Sequence, residues 1–233
     1  VIIESKSAKA IKFFYSKMAK PILYGDEISP PVRFVMMTAS VLGVELDFHK
    51  IELFSLENRT EEYKKINPLM KVPALQLEEG VVLIDSHAIT LYLCGKEADQ
   101  QLYPKDPLER ARVDEMLFFN SGSLFPLDSE ILSKFFAGQW KGQSDIIEKF
   151  NRLLDYLEER LDKTSWVAGD RVTLADLCCG STLSSAELVV PVDEKYVNIK
   201  QWQNKLKALP CFEINTRGVN VLKEIVDQVL SEK

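Results

Sequence analysis

Strand-forming runs are confined to one end of this chain, and that asymmetry limits the folds open to it more than any other feature. Short apolar or alternating runs occur at Pro21-Ile22-Leu23-Tyr24, at 46–53, at Val72-Pro73-Ala74-Leu75-Gln76-Leu77 and at Val81-Val82-Leu83-Ile84, each bounded by turn-forming residues. Helix signals lie between them. Ser29-Pro30-Pro31 opens an apolar-periodic stretch that reaches residue 42 and meets Gly43, with proline just inside the start of a helix and glycine just past its end. A short charged helix is expected over 60–66, with two glutamates in its first turn, where the helix dipole favours them. Glu78-Glu79-Gly80 joins the last two strands as a hairpin, and Asp85-Ser86 caps a further helix that reaches residue 94.

The order β-α-β-α-β-β-α, with a proline entering the third strand, predicts a thioredoxin-like α/β domain over 21–98. Residues 99–107 turn polar and proline-bearing, as a linker does. Beyond them, 108–233 reads as an all-helical domain with segments at 108–122, 124–137, 145–161, 174–188, 196–209 and 212–230. Residues 1–20 form an N-terminal extension without the apolar core of a secretory signal. Met18-Ala19-Lys20-Pro21 within it reads like a natural start.

Composition removes several function classes. A net charge of −6, with no basic stripe, gives no field for nucleic acid. The apolar stretches fall short of the about 20 residues that cross a bilayer, so no membrane insertion is expected. Cys94, Cys178, Cys179 and Cys211 lack the spacing of a zinc site or disulfide framework, which fits a reducing, cytoplasmic setting. With His49 and His87 as the two histidines, no metal centre is expected.

Chemistry then concentrates at Ser29, where the first strand hands over to the first helix. A helix N-terminus carries unpaired N–H donors and partial positive charge, so it favours an anion. A serine hydroxyl there can donate to a ligand thiolate; lowering a thiol pKa by about 2 units corresponds to about 2.7 kcal/mol. The plainer reading makes Ser29 an N-cap. A thioredoxin-type redox role is disfavoured, because Ser29-Pro30-Pro31-Val32 stands where such proteins carry Cys-x-x-Cys.

Leu23-Tyr24…Ser29-Pro30-Pro31-Val32-Arg33, Ile66-Asn67-Pro68…Val72-Pro73, Asp85-Ser86-His87-Ala88-Ile89 and Thr173-Leu174-Ala175-Asp176 together resemble cytosolic glutathione transferases of the insect delta/epsilon group, from Pro21 to the C-terminus. The Asp-Ser-His-Ala-Ile form is similar to the epsilon side. The resemblance implies that Ser29 hydrogen-bonds the glutathione sulfur and that Val72, before a cis Pro73, pairs its backbone with the cysteinyl part. It implies that Asp85 and Ser86 bind the γ-glutamyl end, capping being their alternative, and that His87 orients that end or faces solvent. It also implies a homodimer. Two positions depart from the family pattern. Met70 replaces a histidine that commonly holds the glycyl carboxylate, and Asn58 stands where epsilon enzymes often have another polar ligand. Lys71 offers a compensating cation, whereas a methionine cannot bind a carboxylate. Thr173 and Asp176 are expected to form a structural capping box.

In the second half, Met116, Phe119, Leu124, Phe125 and Leu127 form an apolar cluster beside Asp128. Such a stripe is either core or the wall of a pocket for a hydrophobic small molecule. The segment 117–130 resembles the Noppera-bo branch of the epsilon class, proteins tied to ecdysteroid production. In that branch the residue matching Asp128 hydrogen-bonds a sterol hydroxyl; the alternative here is a solvated surface Asp. The expectation is a transferase that attacks an apolar electrophile, with steroid binding and ecdysteroid biosynthesis as the dedicated role. General detoxification and a non-catalytic sterol or lipid carrier are the alternatives.

Overall fold

The structure is a computed structural model that describes residues 20–95, 102–141 and 143–231. The expected extension, Lys20 apart, and the first residues of the expected linker, 99–101, lie outside the described residues. The chain divides into two compact units, Val1–Gln101 and Leu102–Lys233.

The first unit runs β1 (Ile22–Gly25), α1 (Pro30–Leu42), β2 (Asp47–Lys50), α2 (Glu61–Ile66), β3 (Ala74–Gln76), β4 (Val82–Ile84) and α3 (Ser86–Gly95), with short helical turns at Glu57–Arg59 and Glu78–Gly80. Its sheet order is β2-β1-β3-β4. β1 and β2 pair in parallel, as the crossover through α1 requires, while β3 is antiparallel to both β1 and β4. Leu23 faces Leu75 across one ladder and Leu75 faces Leu83 across the next, and both Leu23 and Leu75 are fully buried. Helix α1 packs against α3, burying Val32, Val35, Met37, Ile89 and Leu93. Thr38 and Thr90, buried in those helices, donate to the carbonyls of Phe34 and Ser86 at 2.9 Å, so neither hydroxyl disturbs the apolar interior.

Two strands are shorter than the sequence pattern predicts, for identifiable reasons. β2 stops at Lys50 because the Leu53 N–H leaves the ladder and donates to the Asp26 carboxylate at 3.2 Å. β3 starts at Ala74, after a proline that has no N–H to give a ladder. At the end of β1, Gly25 admits α1 closely: a Cβ there would lie 2.7 Å from Val32 Cγ2.

The second unit comprises α4 (Pro107–Phe119), a π-helical turn (Asn120–Leu124), α5 (Phe125–Phe136), α6 (Ser144–Lys163), α7 (Leu174–Ala186), α8 (Val197–Lys207), a tight turn (Pro210–Phe212) and α9 (Glu213–Ser231). The break expected near residue 123 is instead a wide π turn that carries the helical path from α4 into α5. Asp106 caps α4, accepting from the Leu108 and Glu109 N–H groups at 3.0 and 2.9 Å. Helix α7 is buried along nearly its whole length. Gly180 permits that burial, since a Cβ would meet Leu206 Cδ1 at 2.6 Å. Among the described residues no helix is long and apolar enough to cross a membrane.

Candidate functional site

In the first unit Ser29 sits at the N-cap of α1, half-buried, with φ −80° and ψ 121°. Its carbonyl accepts from the Val32 and Arg33 N–H groups, both at 3.1 Å, and its own N–H donates to the Asp26 carbonyl at 3.0 Å. The hydroxyl makes no capping hydrogen bond, so the residue starts the helix through its backbone alone. Pro30 and Pro31 follow, each without an N–H to compete for an acceptor.

The segment before β3 is braced from three sides. The buried Asn58 amide donates to the Met70 carbonyl at 2.8 Å. The Tyr63 hydroxyl and the Asn67 amide both donate to the Lys71 carbonyl, at 2.9 and 2.6 Å, and the Asn67 side chain also accepts from the Leu69 N–H at 3.0 Å. Burial pushes the Tyr63 phenol up to about 12, so it acts as a neutral donor. Met70 is held in the left-handed region at φ 52°, Lys71 is exposed and Val72 half-buried, and the Val72-Pro73 bond is cis. Asn58 thus has an internal bond that the sequence pattern did not reveal.

At the start of α3, Asp85 takes φ 73°. Its Oδ1 accepts from the His87 N–H at 2.8 Å and the Ala88 N–H at 3.3 Å, and lies 3.4 Å from His87 Nδ1. The His87 side chain, followed by these turn bonds, holds the Asp85 carboxyl below its usual range. Oδ2 takes no part in those bonds. The His87 ring packs edge-on against Phe34, centroids 5.8 Å apart, which makes it a partly covered residue of the α1/α3 contact. Ser86, the first residue of α3, is buried. Capping by Asp85 is therefore real, and it leaves one carboxylate oxygen and Ser86 at a helix N-terminus.

The second-unit residues do not form one group. Met116 is fully buried, with the Tyr156 hydroxyl donating to its sulfur at 3.7 Å and Cys179 Sγ donating to its carbonyl at 3.7 Å; it is packed interior. Phe119 and Phe125 are half-buried, and the Phe119 ring lies 5.0 Å from that of Tyr156. Asp128 is 2% exposed, with Oδ1 shut off from solvent, so it is not the solvated surface residue. Leu124 and Leu127 are buried beside it. A cleft of about 350 Å³ between α5 and α6 takes Leu127 from this set, and is otherwise lined by Ser123, Pro126, Glu130, Lys149, Arg152 and Leu153.

The Thr173 and Asp176 capping box is present and reaches further than expected. Asp176 also accepts from the Val167 N–H at 2.9 Å and the Trp202 indole N–H at 3.0 Å. Burial pushes its carboxyl up to about 6 against those donors. Among the described residues there is no His/Cys/Asp/Glu cluster fit for a metal ion.

Comparison with known proteins agrees across both units. Residues 23–101 match the glutathione S-transferase N-terminal domain and residues 143–210 the glutathione S-transferase C-terminal domain. A Manduca sexta glutathione S-transferase 1 is 35% identical over 215 residues, which cover 90% of this chain and 98% of that protein. An epsilon-class glutathione S-transferase structure from the housefly Musca domestica is 33% identical with a TM-score of 0.85, covering 90% of this chain and 98% of its own. A Drosophila mojavensis glutathione transferase homologue, solved with bound glutathione, is 36% identical with a TM-score of 0.85, covering 91% of this chain and 98% of its own. The chain belongs to the glutathione S-transferase family: it is a glutathione transferase with neighbours in the insect delta and epsilon classes, and glutathione is its co-substrate.

Proposed function

We propose that Ser29 activates the glutathione thiol and that the thiolate attacks an apolar electrophile held by the helical unit. The observation that carries this reading is the hydroxyl of Ser29, which sits at the N-terminus of a 13-residue helix yet makes no capping bond. A thiolate placed there meets a hydroxyl donor and the positive end of the helix dipole. In this reading the Val72 backbone pairs with the cysteinyl part of glutathione, Asp85 Oδ2 and Ser86 take the γ-glutamyl end with His87 fixing Asp85, and Lys71 takes the glycyl carboxylate in place of Met70. Asn58 serves the site by holding the Met70 carbonyl. Replacing Ser29 by Ala should lower kcat/KM for a chromogenic electrophile at neutral pH by about 100-fold, the ratio that follows when about 2.7 kcal/mol of thiolate stabilisation is lost. Turnover unchanged in Ser29→Ala would remove the assignment.

The dedicated second substrate is a steroid, in the manner of the Noppera-bo branch and ecdysteroid biosynthesis, with Asp128 accepting from a steroid hydroxyl. Its position on a helix where Leu127 and Ile131, and Leu124 just before them, are also buried supports this, because a polar group set among apolar residues fixes the orientation of an apolar ligand. Titration of wild type and Asp128→Ala with a hydroxysteroid separates the readings. Loss of steroid binding with conjugation spared favours the dedicated role, and equal binding favours general detoxification. Steroid binding without Ser29-dependent turnover favours a carrier. A cytoplasmic homodimer completes the proposal.

A further inference from the structure

Asp26 is 4% exposed in the turn between β1 and α1, and the thiol chemistry proposed above makes no direct use of it. Its bonds join two loops. Oδ1 accepts from the Ile28 N–H at 3.3 Å, Oδ2 accepts from the Leu53 N–H at 3.2 Å, and the backbone carbonyl accepts from the Ser29 N–H at 3.0 Å. The opposite polarity of the turn is met by Arg33, 0% exposed, whose guanidinium donates to the Glu27 and Ile28 carbonyls at 3.0 and 2.6 Å. The Ile28 amide of the turn therefore meets a buried carboxylate, the Ser29 amide meets the Asp26 carbonyl, and the Glu27 and Ile28 carbonyls meet a buried cation, none of these bonds drawing on the Ser29 side chain. A buried carboxylate is retained against its desolvation cost only where its bonds do a job, and here the job is to fix where α1 begins.

We infer that Asp26 is a positioning residue for the transferase reaction. It clamps the Asp26–Ser29 turn to the segment after β2 at Leu53, which holds the Ser29 hydroxyl at the α1 N-terminus and free for a ligand sulfur. The inference rests on the reading of Ser29 as the thiol-activating residue. Asp26 acts through Ser29 and does not touch glutathione, so it governs the thiol step more than the holding of the tripeptide, whose other proposed contacts lie at Val72, Asp85 and Ser86.

The test is a double-mutant cycle. Asp26→Ala and Asp26→Asn, each alone and combined with Ser29→Ala, are assayed with glutathione and a chromogenic electrophile between about pH 6 and 9. Asp26→Ala should lower kcat about tenfold and move the rising limb of the pH–rate profile to higher pH, with KM for glutathione within about threefold of wild type. Asp26→Asn, which keeps one acceptor oxygen, should fall between. In the Ser29→Ala background, Asp26→Ala should cause little further loss, because groups that act as a unit are not additive. Circular dichroism checks folding, and if the alanine variant fails to fold, the pH profile of Asp26→Asn decides. An unshifted profile, or the same fractional loss with and without Ser29, would overturn the inference while leaving Ser29 in place. Wild-type turnover in Ser29→Ala alone would instead overturn the reading on which it rests.

Discussion

In the proposed glutathione site, Met70 is the residue whose replacement should alter binding without altering the fold. It occupies a left-handed backbone position at φ 52°, with its carbonyl fixed by Asn58, and its side chain offers no donor to a carboxylate. Histidine tolerates that backbone region better than most side chains and supplies a ring N–H. Met70→His should therefore lower KM for glutathione about fivefold, or about 1 kcal/mol, with kcat nearly unchanged, as expected when a uniform binding contact is gained. Steady-state kinetics with glutathione varied checks this; an unchanged KM would place the glycyl carboxylate wholly on Lys71. At this scale the sequence revealed what is local. Ser29, Val72-Pro73 and Asp85-Ser86 stand out because helix entry and turn chemistry are written in adjacent residues. Asp26 was not legible, since its bond to Leu53 spans 27 positions, and the Asn120 amide that donates to Thr182 spans 62. No periodic pattern encodes such pairs. Met116 shows a different limit: helical spacing marks it as facing inward, and the structure buries it fully, but spacing does not say whether inward means core or pocket.

Helices and strands were recognisable wherever one face is apolar and the other wet, and harder to delimit where a side chain replaces a backbone partner. β2 ends because Asp26 takes the Leu53 N–H, and the path from α4 to α5 continues because Ser121 and Gly122, which suggest a break, fit an exposed π turn. Helix α7 is the element with most at stake. Its N-terminal Asp176 holds the Val167 and Thr173 N–H groups, the Thr173 hydroxyl and the Trp202 indole N–H, so it joins α7 to α8 and to the preceding turn. Asp176→Ala would leave those buried donors without an acceptor, and the expected loss is about 3–5 kcal/mol. Urea unfolding should show it as a lower midpoint at unchanged slope. A loss below about 1 kcal/mol would mean that water replaces the carboxylate.

The division into two units was the most legible property of the whole molecule, because strand-length runs cease before residue 85 and helical periodicity takes over. The same division shapes how the molecule's stability should respond to pH. Trp140, Trp166 and Trp202 are its three tryptophans and all fall in the second unit, so their fluorescence follows that unit alone. The dominant buried acid there is Asp176, pushed up to about 6 by burial from an ordinary 3.8. Between those values the folded state holds the proton more tightly than the unfolded one, so protonation favours the fold. The contribution is complete below the ordinary value and is lost as pH rises through about 6, a change of about 3 kcal/mol. Glu115, held below its usual range chiefly by the Arg160 side chain, contributes with the opposite sign at lower pH. Asp176→Asn removes the titration while keeping the shape. The unfolding free energy of wild type minus that of Asp176→Asn should therefore shrink as pH is raised from about 4 to 7. Four donors on one carboxylate work against this, since each favours the charged form. A difference that grows with pH would mean that the donors outweigh burial and that Asp176 stays ionised throughout that range.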